Sequence, residues 1–241
     1  MKSEDVGLKF HFADSLYNAG KYKKALKLME QIVPAYRGKP QGEKLMFLYS
    51  DTFYNLGDYY LSGYQFERFV ATYPNSEKAE EAGFKSAKSY YQLSPRYSLD
   101  QKETETALTK LQGFITKYPE SEYLSESNEL VQELTEKLEK KQFETAKQYY
   151  NISDFKAAIK ALDNFILDNP GSKLREEAYY IRFKAAYDLA LKSIYSLVDE
   201  RLMIAKGYYN SFKRYYPESE FHQDAEKSLQ DIDNRLENKQ A

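Results

Sequence analysis

The sequence predicts an all-α solenoid: five helix–turn–helix repeats followed by a C-terminal capping helix. Three observations predict it. The segments Tyr17-Asn18-Ala19-Gly20-Lys21-Tyr22, Tyr54-Asn55-Leu56-Gly57-Asp58-Tyr59 and Tyr150-Asn151-Ile152-Ser153-Asp154-Phe155 match column by column. Downstream of each stand aligned positions: Ala25, Ser62 and Ala158, then Met29, Phe66 and Leu162, then Ile32, Phe69 and Phe165. A Phe-x4-Pro-x-Ser motif recurs at Phe69/Pro74/Ser76, Phe114/Pro119/Ser121, Phe165/Pro170/Ser172 and Phe212/Pro217/Ser219. Self-similarity at a fixed period means stacked units that bury a continuous core.

Each mark has a physical role. Proline cannot continue a helix, so it ends the second helix of a unit. Serine two positions later is expected to cap the next helix. Gly20 and Gly57 allow the tight turn inside a unit. Small residues on the first helices (Ala13, Ser50, Ala87, Ala146) let the second helices approach closely. The Tyr column runs 17, 54, 91, then 150 and 187, so two intervals of 37 are followed by one of 59 and another of 37. Of the 22 added residues, eight fall in the turn Ser94-Pro95-Arg96-Tyr97-Ser98-Leu99-Asp100-Gln101. Here Pro95 closes the preceding helix, and Asp100 with Glu103 suits a capping box for the next. The other fourteen lie in a stretch, Glu120 to Ile152, without Gly or Pro, which predicts one helix lengthened by about four turns. It joins residues 1–122, repeats one to three, to residues 123–241, which hold the long helix, repeats four and five and a polar cap from Glu220 to Asn238.

These marks resemble the tetratricopeptide consensus, with its small residue, Gly, Tyr, Ala, bulky residue and Pro; the late Ala column is here Phe or Ile. In repeats of this kind the first helices line the concave face. Their columns are Phe10, Phe47, Phe84, Phe143 and Tyr180; Asp14, Asp51, Lys88, Lys147 and Lys184; Tyr17, Tyr54, Tyr91, Tyr150 and Tyr187; and Asn18, Asn55, Gln92, Asn151 and Asp188. Spacings of seven and four keep these near one helical face. The expectation is an aromatic-lined peptide groove, acidic in the first block and basic beyond it, with Phe10, Phe47, Tyr17, Tyr54, Tyr91, Asn18, Asn55 and Gln92 as its contacts. The aromatic columns suit inter-repeat core as well as ligand. The amides suit either an extended peptide backbone or a local helix stop.

Composition narrows the function. Thirty-five Lys and Arg balance 37 Asp and Glu, which leaves no basic stripe for nucleic acid. Mean hydropathy is -0.76 and 42% of residues are apolar, too many for a disordered chain, yet no run suggests a membrane span. There are 24 Tyr and 14 Phe but no Trp or Cys. Absence of Cys fits a reducing compartment, or an exported chain whose Cys lies upstream of Met1; the opening Met1-Lys2-Ser3-Glu4-Asp5 has no apolar signal core. The two His, His11 and His222, stand at opposite ends. The pairs Glu80-Glu81 and Glu176-Glu177 read as a solvated face. No phosphate-binding or nucleophile motif occurs, so no catalytic residue, metal or cofactor is expected.

The Ser-Pro-Arg…Asp-Gln insertion in the third repeat, followed by Phe114-x4-Pro119, resembles the BamD family, outer-membrane lipoproteins of the β-barrel assembly machinery. The Tyr-Arg-Gly-Lys-Pro run at 36–40 and the helix start Glu43 to Tyr49 look like its Bacteroidetes type. The resemblance implies a scaffold on the periplasmic face of the outer membrane, held by an N-terminal acylated Cys that would lie upstream of Met1. It implies C-terminal repeats that dock the periplasmic domains of the BamA-like channel, and N-terminal repeats that receive unfolded outer-membrane proteins through aromatic-ended C-terminal signals. Asp14 and Asp51 do not suit that terminal carboxylate. Lys147 and Lys184, with Arg96 and Asp100 on the inserted loop, are the expected docking residues. The competing expectation is a cytosolic co-chaperone or regulatory scaffold built from the same repeats.

Overall fold

The computed structural model describes residues 5–237; Met1 to Glu4 and Asn238, the expected end of the cap, lie outside the described residues. Among them no strand occurs. The repeats are α1 (Val6–Asn18) with α2 (Tyr22–Ile32), α3 (Gly42–Asn55) with α4 (Tyr59–Thr72), and α5 (Ala79–Leu93) with α6 (Lys102–Lys117). Then come α7 (Leu124–Asn151) with α8 (Phe155–Asp168), α9 (Arg175–Leu191) with α10 (Tyr195–Tyr215), and α11 (His222–Glu237). A 3-10 turn, Val33–Tyr36, follows α2. This is the tetratricopeptide arrangement that the register predicts.

The turns follow from the residues at them. Gly20 (φ 68°) and Gly57 (φ 77°) adopt the left-handed region, and Ser153 takes the same place in the fourth repeat at φ 64°. A non-glycine residue there costs about 1–2 kcal/mol. The second helices α4 and α8 are capped by Asp58 and Asp154, whose carboxylates accept the Leu61 and Ala157 N–H groups at 3.2 Å. The motif serines are not N-caps, which corrects the sequence expectation. Ser76, Ser121, Ser172 and Ser219 each accept the N–H two residues on, opening one tight turn before the next helix. Ser76 and Ser121 also donate to Glu43 (2.6 Å) and Glu80 (2.5 Å) on the preceding first helices. Each motif proline stands two residues beyond the end of its helix, where it cannot disturb the ladder.

Ala13, Ser50, Ala87 and Ala146 are at most 2% exposed, and Phe66, Phe69, Phe165 and Phe212 are fully buried. Burying each such ring contributes about 1.5–3 kcal/mol, so the repeat columns are where the fold is held.

Helix α7 combines two elements. Its first half repeats the cap α11, each counterpart lying 98 positions later in the sequence. Tyr123 stacks on Phe84 and Phe221 stacks on Tyr180, both at 4.6 Å between centroids. Lys88 pairs with Glu126, and Lys184 with Asp224. Tyr91 donates to Glu133 and Tyr187 to Asp231. Leu134 and Ile232 are both fully buried. The second half of α7 places Phe143 and Ala146 in the core of the following repeats. Two compact units result, Met1–Thr135 and Glu136–Ala241, dividing between those halves. The helix is long because a cap and a first helix are fused.

Candidate peptide-binding site

The charged column of the first helices does not line an acidic and then a basic groove. Every member pairs with an opposite charge on the next stacked helix. Asp14 meets Lys44 (2.7 Å), Asp51 meets Lys85 (2.5 Å) and Lys88 meets Glu126 (2.6 Å). In the second unit Lys147 meets Glu177 (2.6 Å) and Lys184 meets Asp224 (2.9 Å). The acid pairs are part of the same stitching: Glu80 accepts from Ser121, Glu81 binds Lys78 and Lys85, and Glu177 holds Lys147. The bonds of Glu80 and Glu177 are contacts between repeats, which corrects their reading as a solvated face, whereas those of Glu81 run along its own helix start.

Asp51 is the most buried of these charges, at 3% exposure. Its carboxylate also accepts from the Tyr17 hydroxyl and from Asn55 Nδ2 (2.7 Å). Burial works against the charge on Lys85, but the hydrogen bonds and attraction of Asp51 and Glu81 together outweigh it and hold the Lys85 pKa above its ordinary value. The Tyr column is tied down in the same manner. Tyr91 donates to Glu133, Tyr150 to Asp188 (2.8 Å) and Tyr187 to Asp231 (2.8 Å). The hydrogen bond to Glu133, then burial, pushes Tyr91 up to about 12; burial, then Asp231, does the same to Tyr187. Tyr54 departs from this pattern: the position that is Asp51 one repeat earlier is Lys88 beside it, and burial alone leads the rise in its pKa.

Of the expected groove contacts, Phe10 and Phe47 are half-buried. Phe10 leans on Tyr36 at 5.4 Å, and Phe47 lies 5.6 Å from both Phe66 and Phe69. Lysines cover their outer faces, Lys44 over Phe10 and Lys78 and Lys85 over Phe47. Tyr17, Tyr54 and Tyr91 are also half-buried, whereas Asn18, Asn55 and Gln92 stand exposed. The first unit therefore offers three exposed amides beside half-buried rings, on the ends of three stacked first helices, although the Asn55 Nδ2 is already given to Asp51. Amides both donate and accept, as an extended backbone requires.

On the inserted loop, Arg96 and Asp100 are exposed and form no ion pair with each other. The residue that shapes the loop is Gln101, 5% exposed. Its Nε2 donates to the carbonyls of Leu99 (2.9 Å), Arg96 (3.0 Å) and Asp100 (3.3 Å), and its Oε1 accepts from Thr104 (2.8 Å). Asp100 accepts the Lys102 N–H at 3.0 Å, a tight turn one residue ahead of the Gln101 N-cap, which makes no side-chain cap bond; the expected Asp100–Glu103 capping box does not form.

The second unit holds a cleft that the first-helix columns do not reveal. About 290 Å³ in volume, it is floored by Ile159, Leu189 and Ile204 and rimmed by Lys156, Lys160 and Arg201. Asp163 is the acid on its wall, and Arg182 neutralises it at 2.8 Å. Arg182 is itself held between the rings of Tyr179 and Tyr208, 4.7 and 4.4 Å from their centroids. An apolar floor with a basic rim accepts an amphipathic segment carrying acidic side chains. The signal was in the sequence: Lys156 and Lys160 stand nine and five positions before Phe165, a column of second helices that faces outward. No group of three or more potential metal ligands occurs among the described residues.

Comparison with known proteins adds the following. None of the curated proteins matches the chain. Among solved structures, the TPR2AB domain of yeast Sti1 in complex with pHSP90 shares 12% identity and a TM-score of 0.45, covering 95% of this chain and 98% of that one. A putative kinesin light chain of Podosopora anserina with nearly identical TPR-like repeats shares 12% identity and a TM-score of 0.36, covering 87% and 96%. The YfiO family, described as outer membrane lipoprotein, matches residues 9–151 and again 135–240, the overlap falling in the second half of α7. With nearly its whole length matched, the chain belongs to the YfiO family of outer membrane lipoproteins.

Proposed function

We propose that the chain is a non-catalytic scaffold of the outer-membrane β-barrel assembly complex, held by a lipid anchor at the periplasmic face. Family membership supports the location and the complex. The observation that carries the division of labour is the contrast between the two units. The first presents Asn18, Asn55 and Gln92 in one column beside half-buried Tyr rings, a surface for an extended, aromatic-ended segment of an unfolded barrel protein. The second presents the basic-rimmed apolar cleft around Ile159 and Ile204, a surface for a folded partner such as the periplasmic domains of a BamA-like channel. Lys147 and Lys184 are engaged by Glu177 and Asp224, so they support docking by fixing the repeats, and Arg96 on the exposed loop remains open to a partner.

The test measures binding of the purified chain to two probes, the channel's periplasmic domains and a peptide ending a barrel strand. An Asn18→Ala/Gln92→Ala variant should lose peptide affinity and keep the channel domains, while Lys160→Glu/Arg201→Glu should do the reverse. Equal loss of both probes by both folded variants contradicts the division.

A further inference from the structure

The outer faces of the second helices in the first unit form a row that the peptide site does not use. Nine and five positions before the buried residues Ile32, Phe69 and Phe114 stand Lys23 and Lys27 on α2, Tyr60 and Tyr64 on α4, and Glu105 and Thr109 on α6. All six are exposed. The ends of α2 and α4 open on one cleft, lined by Glu30, Gln65 and Arg68, and the N-terminal lysines of α2 share a second hollow with Leu56, just ahead of α4.

Lys21, Lys23, Lys24 and Lys27 fall within seven residues, and none forms an ion pair, whereas Lys44, Lys78, Lys85, Lys88 and Lys110 of the same unit each hold a carboxylate. Their placement opposes helix stability. Lys21 is the N-cap of α2 and makes no side-chain cap bond, and Lys23 and Lys24 occupy its first turn, at the positive end of the helix dipole. Lys27 adds like-charge neighbours at i,i+4 and i,i+3. Charges that weaken their own helix and pair with no acid among the described residues are explained by a partner outside the chain. Beside them Tyr60 is 68% and Tyr64 50% exposed. Lysine attracted to phosphates together with tyrosine at headgroup depth is the pattern of a membrane interface; an acidic polypeptide needs the lysines and gives no reason for the exposed rings. The chain as a whole carries a net charge of -2, so the attraction is local to this face, and Glu105 ends it at the third repeat.

We propose that the outer face of the first two repeats, Lys21, Lys23, Lys24 and Lys27 beside Tyr60 and Tyr64, docks on an anionic phospholipid surface. The proposal draws on membership in an outer membrane lipoprotein family and not on the channel or peptide assignments, so its failure leaves those standing.

Vesicle flotation of the 241-residue chain tests it, at low and at physiological salt. The chain should float with vesicles containing phosphatidylglycerol and not with pure phosphatidylcholine, more strongly at low salt. Each lysine near such a surface is worth roughly fivefold in partitioning, so Lys21→Gln/Lys23→Gln/Lys24→Gln/Lys27→Gln should lose at least about tenfold while its helical circular dichroism is retained. A variant of equal charge change, Lys39→Gln/Lys102→Gln/Lys117→Gln/Lys227→Gln, should still float, and Tyr60→Ser/Tyr64→Ser should float less. Failure of the unmodified chain to float, or equal loss in the two lysine variants, overturns the proposal. Retention on polyglutamate resin as strong as on the vesicles also overturns it and reassigns the face to an acidic polypeptide.

Discussion

The Tyr150 hydroxyl donates to the Asp188 carboxylate at 2.8 Å, joining the ends of two stacked first helices. Tyr17 with Asp51 and Tyr187 with Asp231 repeat the relationship. A tyrosine column that reads as a ligand surface is thereby also a row of bonds between repeats.

Alkaline titration should expose that row. The tyrosines bonded to acids have pKa values raised above the usual 10, Tyr90, Tyr91 and Tyr187 to about 12. A folded pKa above the unfolded one means stability fully present below about pH 10 and lost as pH rises toward 12. Absorbance at 295 nm should show most of the 24 tyrosines ionising before the helices melt, and a late group ionising with melting. A single transition near the ordinary value counts against the row.

Two aspartates in one column separate a buried pair from an exposed one. Asp51→Ala removes the acceptor of Tyr17, Asn55 and Lys85 at a buried site and should cost about 2–3 kcal/mol. Asp14→Ala breaks a pair whose Lys44 side chain is 56% exposed and should cost less than about 1 kcal/mol. Urea denaturation of the two variants measures the difference.

The cap should loosen in acid. Hydrogen bonds from Tyr180 and then Lys184 hold the Asp224 pKa below the usual carboxylate range, and Arg235 does so for Asp231. A depressed folded pKa contributes stability that is present above about pH 4 and disappears as pH falls through the folded value. Amide exchange in α11 should accelerate below pH 4 before exchange in α9 does, and Asp224→Asn/Asp231→Asn should show fast exchange in α11 already at neutral pH.

Gln101→Ala should cost about 1–3 kcal/mol, because three loop carbonyls lose their shared donor. Arg96→Ala should stay within about 0.5 kcal/mol. Melting temperatures decide between them; a larger loss for Arg96→Ala means that the loop is held by its arginine.

The repeat register was legible because its signals are local: Phe-x4-Pro, Gly20 and Gly57, and small residues under the second helices each act within a few positions. What was not legible depends on pairs 30 to 44 positions apart in the chain. Asp51 looks like a groove charge until Tyr17 and Lys85 close on it. The sequence predicts α7 as one lengthened helix joining two blocks, and only Tyr123 on Phe84, matched by Phe221 on Tyr180, shows that its first half is a cap. Serine after proline was read as an N-cap because the residue type suits one. The helices that follow those serines, α5 and α9, instead have Lys78 and Leu174 at the N-cap, with no side-chain cap bond. The cleft around Ile159 was missed because its lysines belong to the second helices, outside the columns counted from Tyr.

The most direct test of the scaffold assignment is a pull-down from detergent-solubilised outer membranes of the source organism, with the chain attached to beads and the retained proteins quantified by mass spectrometry. The account predicts that the barrel-assembly channel protein is retained near one-to-one, and that Lys160→Glu/Arg201→Glu reduces it at least about tenfold while leaving the melting temperature unchanged. Absence of the channel protein from beads carrying folded chain would contradict the assignment.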